Sequence, residues 1–120
     1  MIDFKTCYGM TYFDENDLKE TQINHRVELE YYKTNKYEEN DFKYGIEICK
    51  KEYIDDNISV ETNKIENITN SSDKVIEIIN TLKKYKVTPV GLNDVLEDLM
   101  KANWEERGIK ILFFNCNLQE

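Results

Sequence analysis

Little in this chain bends a backbone, and little of it holds a metal. Proline occurs once and glycine four times in 120 residues, too few for a linker or a low-complexity chain. The three cysteines, Cys7, Cys49 and Cys116, are an odd number at wide spacing with no C-x-x-C pair. That excludes a disulfide framework and a cysteine-based zinc site, and it fits three small core-type residues kept reduced in a cytosol. The one histidine, His25, borders a polar stretch, and no Ser or Cys lies in a nucleophile motif, so it reads as a surface side chain rather than a general base. Phosphate-loop, dinucleotide, zinc-protease and calcium-loop patterns are all missing. No apolar run approaches the ~18 residues of a membrane helix. The opening MIDFKTCYGM lacks the basic start and apolar core of a signal peptide, so a cytoplasmic location is expected.

What the chain has is acid. The net charge is −8, spread as −4 over residues 1–44, −3 over 45–72 and −1 over 73–120. No segment is a basic footprint, so direct contact with nucleic acid is not expected, because phosphate neutralisation needs clustered Lys and Arg. An acidic chain of this kind is expected to meet proteins, basic ones in particular.

Hydropathy gives the organisation. One domain spans residues 1–120. Within residues 1–26, residues 6–12 form a weak strand, and 13–25 read as a polar loop or mobile arm. From 27 to 69 the apolar residues alternate with charged ones. Val27, Leu29 and Tyr31 share one face, as do Tyr44, Ile46 and Ile48, which predicts a meander of three antiparallel strands joined at 34–41 and 54–57. From Ser72 the period lengthens. Val75, Ile78, Ile79, Leu82 and Tyr85 form a helical stripe capped by Ser72, and Leu92, Val95, Leu96 and Leu99 form a second. Thr88, Pro89 and Asn93 read as the capping motif of that second helix, which runs to Arg107. The fold class is therefore α+β: a small antiparallel meander with the two helices of 72–107 packed on one face. The apolar tail, 109–120, is a last edge strand or, failing that, an arm that docks on a partner.

The second helix carries Asp94, Glu97 and Asp98 on one face. Three carboxylates at that spacing can hold a cation if other ligands join them. The stripe of Leu92, Val95, Leu96 and Leu99 points the other way, so these acids read as a solvated face, and no metal, cofactor or catalytic residue is expected. Tyrosine, with eight copies, gives large contact area at low entropic cost. Tyr31, Tyr32 and Tyr44, with Trp104 and the tail residues Phe113 and Phe114, are the expected partner-binding residues.

Three segments, YGIEI at 44–48, DKVIEIINTLKKYKV at 73–87 and VTPVGLNDVLED at 87–98, resemble a family of small proteins from clostridia and related Firmicutes over residues 27–100. Thr88, Pro89, Asp94, Glu97 and Asp98 match its best motif. The resemblance implies a cytosolic, spore-former context and transfers no activity. The leading expectation is a non-catalytic interaction module, a regulator or accessory factor whose partner is another protein, such as a recombinase or transcription regulator. The rivals are a metal-dependent enzyme using Asp94, Glu97 and Asp98, and a structural protein that self-associates through its tail.

Overall fold

The alternation that begins at Val27 does build a sheet, and the sheet is wider than the alternation indicates. A computed structural model describes residues 2–38 and 41–106. Four strands, β1 (Ile2–Tyr12), β2 (Arg26–Glu38), β3 (Asp41–Ile54) and β4 (Asn57–Thr69), lie side by side in chain order, each antiparallel to the next. With the helices α1 (Glu15–Thr21), α2 (Ser72–Lys84) and α3 (Leu92–Glu106) they make an α+β architecture.

The meander therefore has four strands where three are expected. β1 is faint in the sequence because its register shifts between Cys7 and Gly9, and one extra residue resets the alternation. Gly9 takes φ +151° at that bulge, a backbone conformation that a Cβ disfavours. Residues 34–37, read as part of a polar connection, pair across β3 instead, Thr34 with Gly45 and Lys36 with Lys43.

Residues 13–25 also differ from expectation. They contain α1, none of whose residues is buried, so no apolar stripe marks it. Its ends hold it. Asp14 and Asp17 each accept a hydrogen bond of 2.9 Å from the other's backbone N–H in a capping box. Gln22 closes the far end in the left-handed conformation, and the Lys86 ammonium reaches both aspartates.

α2 buries Val75, Ile78, Ile79 and Leu82 as its spacing requires. Its N-cap is Ser71, one residue before the expected Ser72, and the Ser71 hydroxyl accepts from the Lys74 N–H at 3.1 Å. Tyr85 is not part of the stripe: it is the C-cap, and its side chain is exposed.

The capping motif assigned to Thr88, Pro89 and Asn93 is corrected as well. α3 starts at Leu92, and Gly91 accepts its first helical bond, from Val95 N–H at 3.1 Å. Thr88 and Pro89 sit in a turn ahead of the helix, where Thr88 and Pro89 carbonyls accept from the N–H groups of Gly91 and Leu92. Asn93 is inside the helix. Pro89 is fully buried. The Asn63 amide of β4 donates to the Pro89 carbonyl at 2.9 Å and to Asn93 Oδ1 at 2.8 Å. The motif thus fastens the α2–α3 connection to the sheet.

The core lies between one face of the sheet and the helices. Leu29 and Tyr31 of β2 and Ile46 and Ile48 of β3 meet Val75, Ile78, Ile79, Leu82, Val87, Leu92 and Leu96. Each such side chain contributes about 1.5–3 kcal/mol on burial. α2 and α3 are both built into this layer, and α2 touches all four strands. The tail, 109–120, with Phe113 and Phe114, lies outside the described residues, as does the Trp104 side chain.

Candidate functional site

Among the described residues the helices lie on one side of the sheet and leave its other face open. The strand registers define what it carries. Arg26, Tyr53 and Ile58 form one row. Tyr12, Glu28, Lys51 and Val60 form the next, followed by Met10, Glu30, Cys49 and Thr62, then Cys7, Tyr32, Glu47 and Lys64. Four large apolar residues of this face, Met10 and Tyr12 on β1 and Ile58 and Val60 on β4, are 50% to 58% exposed. They make two apolar margins on the edge strands, with a polar strip between them on β2 and β3.

The polar strip is an interlocked lattice. Arg26 donates to Glu28 at 2.6 Å and lies over the rings of Tyr12 and Tyr53, 5.8 and 5.5 Å from their centroids. The Tyr53 hydroxyl donates to the same carboxylate at 2.9 Å. One row on, Glu30 accepts from the Tyr32 hydroxyl at 2.8 Å and from Lys51 at 3.2 Å. Lys5 lies over the Tyr32 ring and pairs with Glu47 at 3.5 Å. Burial pushes the Glu30 carboxyl up, but the bonds from Tyr32 and Lys51 outweigh it and hold its pKa below the usual carboxylate range. The Tyr32–Glu30 bond holds the Tyr32 hydroxyl protonated well past the ordinary tyrosine range, helped by burial, and the separate Lys51–Glu30 bond raises the Lys51 ammonium. Tyr53 is raised by its bond to Glu28.

This arrangement stacks charge vertically. Glu28 and Glu30 side chains are only 10% and 17% exposed, whereas their partners Arg26 and Lys51 are 63% and 34% exposed. The carboxylates are already desolvated and bonded, so covering them further carries little of the penalty that an unpaired charge imposes. The lattice offers no nucleophile poised beside a base. Cys7 is exposed on this face and so is not the core residue its type suggests, and the Cys49 thiol is raised by burial.

At the far end of the same face a shallow cleft of about 170 Å³ sits over Gly45, rimmed by Phe4, Lys5, Lys36 and Lys64. A Cβ at Gly45 would come 2.4 Å from the Ile65 carbonyl oxygen, so only glycine lets the strands close there. Lys36 and Lys64 share the Glu66 carboxylate at 3.5 Å each, which lowers its pKa, Lys36 first.

The expected site residues divide. Tyr32 is on the open face, opposite Leu29, as the alternation requires. Tyr31 is not a contact residue: it is fully buried, and its hydroxyl donates to the Val87 carbonyl at 2.8 Å. Tyr44 is likewise on the helix side, packed against the core, with Lys33 over its ring at 5.2 Å. Asp94, Glu97 and Asp98 are all exposed on α3, and among the described residues no group of three His, Cys, Asp or Glu side chains is placed to hold a metal ion. His25 has a partner that sequence did not indicate, Glu52 at 2.6 Å, and that bond lowers the Glu52 carboxyl. The residues that sequence reasoning missed are Met10, Tyr12, Arg26, Lys51, Ile58 and Val60. The alternation in 58–60 does place Ile58 and Val60 on one face, but only the register with β3 shows which face is uncovered.

A model described as "Family of unknown function (DUF6514)" matches residues 10–102. The chain belongs to that family. The DUF6514 match begins within β1, upstream of the residue 27 at which the sequence resemblance starts, and it takes in α1, the four apolar margin residues of the open face and most of α3. No curated protein and no solved structure matches the chain. Among the described residues no helix is long and apolar enough to cross a membrane.

Proposed function

We propose that the chain is a non-catalytic protein-interaction module that docks a partner on the open face of its sheet. The observation that carries the reading is the pair of exposed apolar margins, Met10 with Tyr12 and Ile58 with Val60, flanking a strip whose carboxylates are already bonded. Clustered exposed apolar side chains around satisfied polar groups are what interfaces are built from. Tyr53 and Tyr12, held by Arg26, supply rigid area.

The wider reading places the protein in the cytoplasm of a spore-forming firmicute, as a regulator or accessory factor whose partner acts on DNA, with the tail as a second contact through which copies associate. It is supported by the sequence resemblance and by the apolar tail. The test is affinity capture from the native cell using the wild-type chain and the double variant Ile58→Ser with Val60→Ser, after circular dichroism shows both folded. A stoichiometric partner held by the wild type and lost by the variant is the expected result. Equal capture by both would move the interface elsewhere.

A further inference from the structure

We infer that the occupant of this face is an acidic segment of a partner protein, with carboxylates along its middle and apolar side chains to either side. This rests on the open face being the interaction surface. The net charge of −8 argues for a basic partner, but the charge is unevenly placed. Asp94, Glu97 and Asp98 lie on α3, across the sheet from the open face, and α1 with its acids is tied to Lys86 in the α2–α3 connection. At the Tyr12–Tyr53 end of the open face the order is reversed: Arg26 and Lys51 stand outermost and the carboxylates they neutralise lie beneath them. An approaching surface meets cations first.

Both cations keep donors to spare. A guanidinium has five N–H groups and an ammonium three, and Arg26 and Lys51 each bond one carboxylate of this lattice. A second carboxylate from a partner can share them without breaking the first pair. The margins on β1 and β4 are three strand spacings apart, about 14 Å. Across the sheet the surface therefore reads apolar, cationic, apolar, and its complement is apolar, acidic, apolar. Arg26 and Lys51, like Lys5, Lys36 and Lys64 farther along the face, are each paired with a carboxylate of the same face, so the face is not the net-basic footprint a nucleic-acid track needs, and three of the four margin residues, Met10, Ile58 and Val60, are aliphatic and give bases no ring to stack on.

The test uses the full chain as bait for a random peptide display library, with oligothymidine and phosphatidylserine vesicles run in parallel. The bound peptides are then titrated into isotope-labelled protein and followed by amide shifts. Selected peptides should carry Asp or Glu between apolar residues, and shifts should centre on Met10, Tyr12, Arg26, Lys51, Ile58 and Val60. Ile58→Ser with Val60→Ser, and separately Lys51→Gln, should weaken binding by about tenfold or more with the fold intact. Peptides that map to this face but are rich in Lys and Arg would overturn the acidic occupant while leaving the interaction surface standing. Binding of oligothymidine or vesicles to the face in place of peptides would overturn it too. Peptides that bind only elsewhere, or no ligand at all, would overturn both readings.

Discussion

Removing one oxygen from Tyr31 separates its structural role from the contact role its residue type suggests. The Tyr31 ring is fully buried between sheet and helices, and its hydroxyl donates at 2.8 Å to the Val87 carbonyl in the α2–α3 connection. Tyr31→Phe keeps the ring and its packing but leaves that carbonyl, in a residue only 9% exposed, without its donor. A buried acceptor left without a partner costs about 1–3 kcal/mol. For a 120-residue domain, each kcal/mol lowers the melting temperature by about 4 °C, so a fall of about 4–12 °C is expected. Urea unfolding should show a lower midpoint at unchanged slope, because the surface exposed on unfolding is the same. Partner binding should be unaffected, since Tyr31 does not reach the open face. A loss of stability below about 0.3 kcal/mol would refute the buried bond. Lost binding at full stability would return Tyr31 to the surface.

Gly45→Ala should destabilise by about 1–3 kcal/mol, since its Cβ would meet the Ile65 carbonyl oxygen at 2.4 Å and the backbone would have to shift; an unchanged urea midpoint would rule out that close approach. The carboxyls of Asp17, Glu30 and Glu52 have lowered pKa values, Asp17 through Lys86, Glu30 through Tyr32 and Lys51 once burial is outweighed, and Glu52 through His25. Each binds its proton less readily folded than unfolded, so its stabilisation is present above about pH 4 and fades as pH falls through the lowered folded value. The slope of stability against pH below that point should be shallower in Glu30→Gln than in the wild type, and identical slopes would remove Glu30 from the account. In a Cys116→Ser background a thiol reagent should modify Cys7 rapidly and Cys49 only on unfolding, because Cys7 is exposed and Cys49 is buried with a raised pKa; equal rates would contradict the burial. Lys86→Ala should cost less than about 1 kcal/mol, as partly exposed pairs do, yet speed hydrogen exchange across α1, which buries no residue and depends on its ends.

What could be read in advance follows the physics of each element. Val27, Leu29 and Tyr31 alternate without interruption, and so do Tyr44, Ile46 and Ile48, so the two central strands and their buried face were legible. α2 announced itself through Val75, Ile78, Ile79 and Leu82. β1 was blurred because the Cys7–Gly9 bulge breaks the period. α1 was hidden because it is stabilised by Asp14, Asp17, Gln22 and Lys86 rather than by an apolar stripe. Thr88 and Pro89 carry the composition of a helix start, yet the segment is used to anchor the connection through Asn63, a contact between residues 26 apart that no local rule detects. The open-face patch was illegible for a related reason. Ile58 and Val60 look like any strand residues until the register with β3 puts them on the side that α2 and α3 leave bare.

The claim that this bare side is where a partner sits can be tested directly in the cell. A photo-crosslinking amino acid would be placed, one position at a time, at Tyr12 or Val60 on the open face and at Tyr85 or Val90, which are equally apolar and more exposed but lie outside the sheet. Exposure alone would favour the second pair. A partner seated on the open face gives covalent capture from both Tyr12 and Val60 and none from Tyr85 and Val90. Capture from Tyr85 and Val90, with Tyr12 and Val60 silent, would contradict that seating.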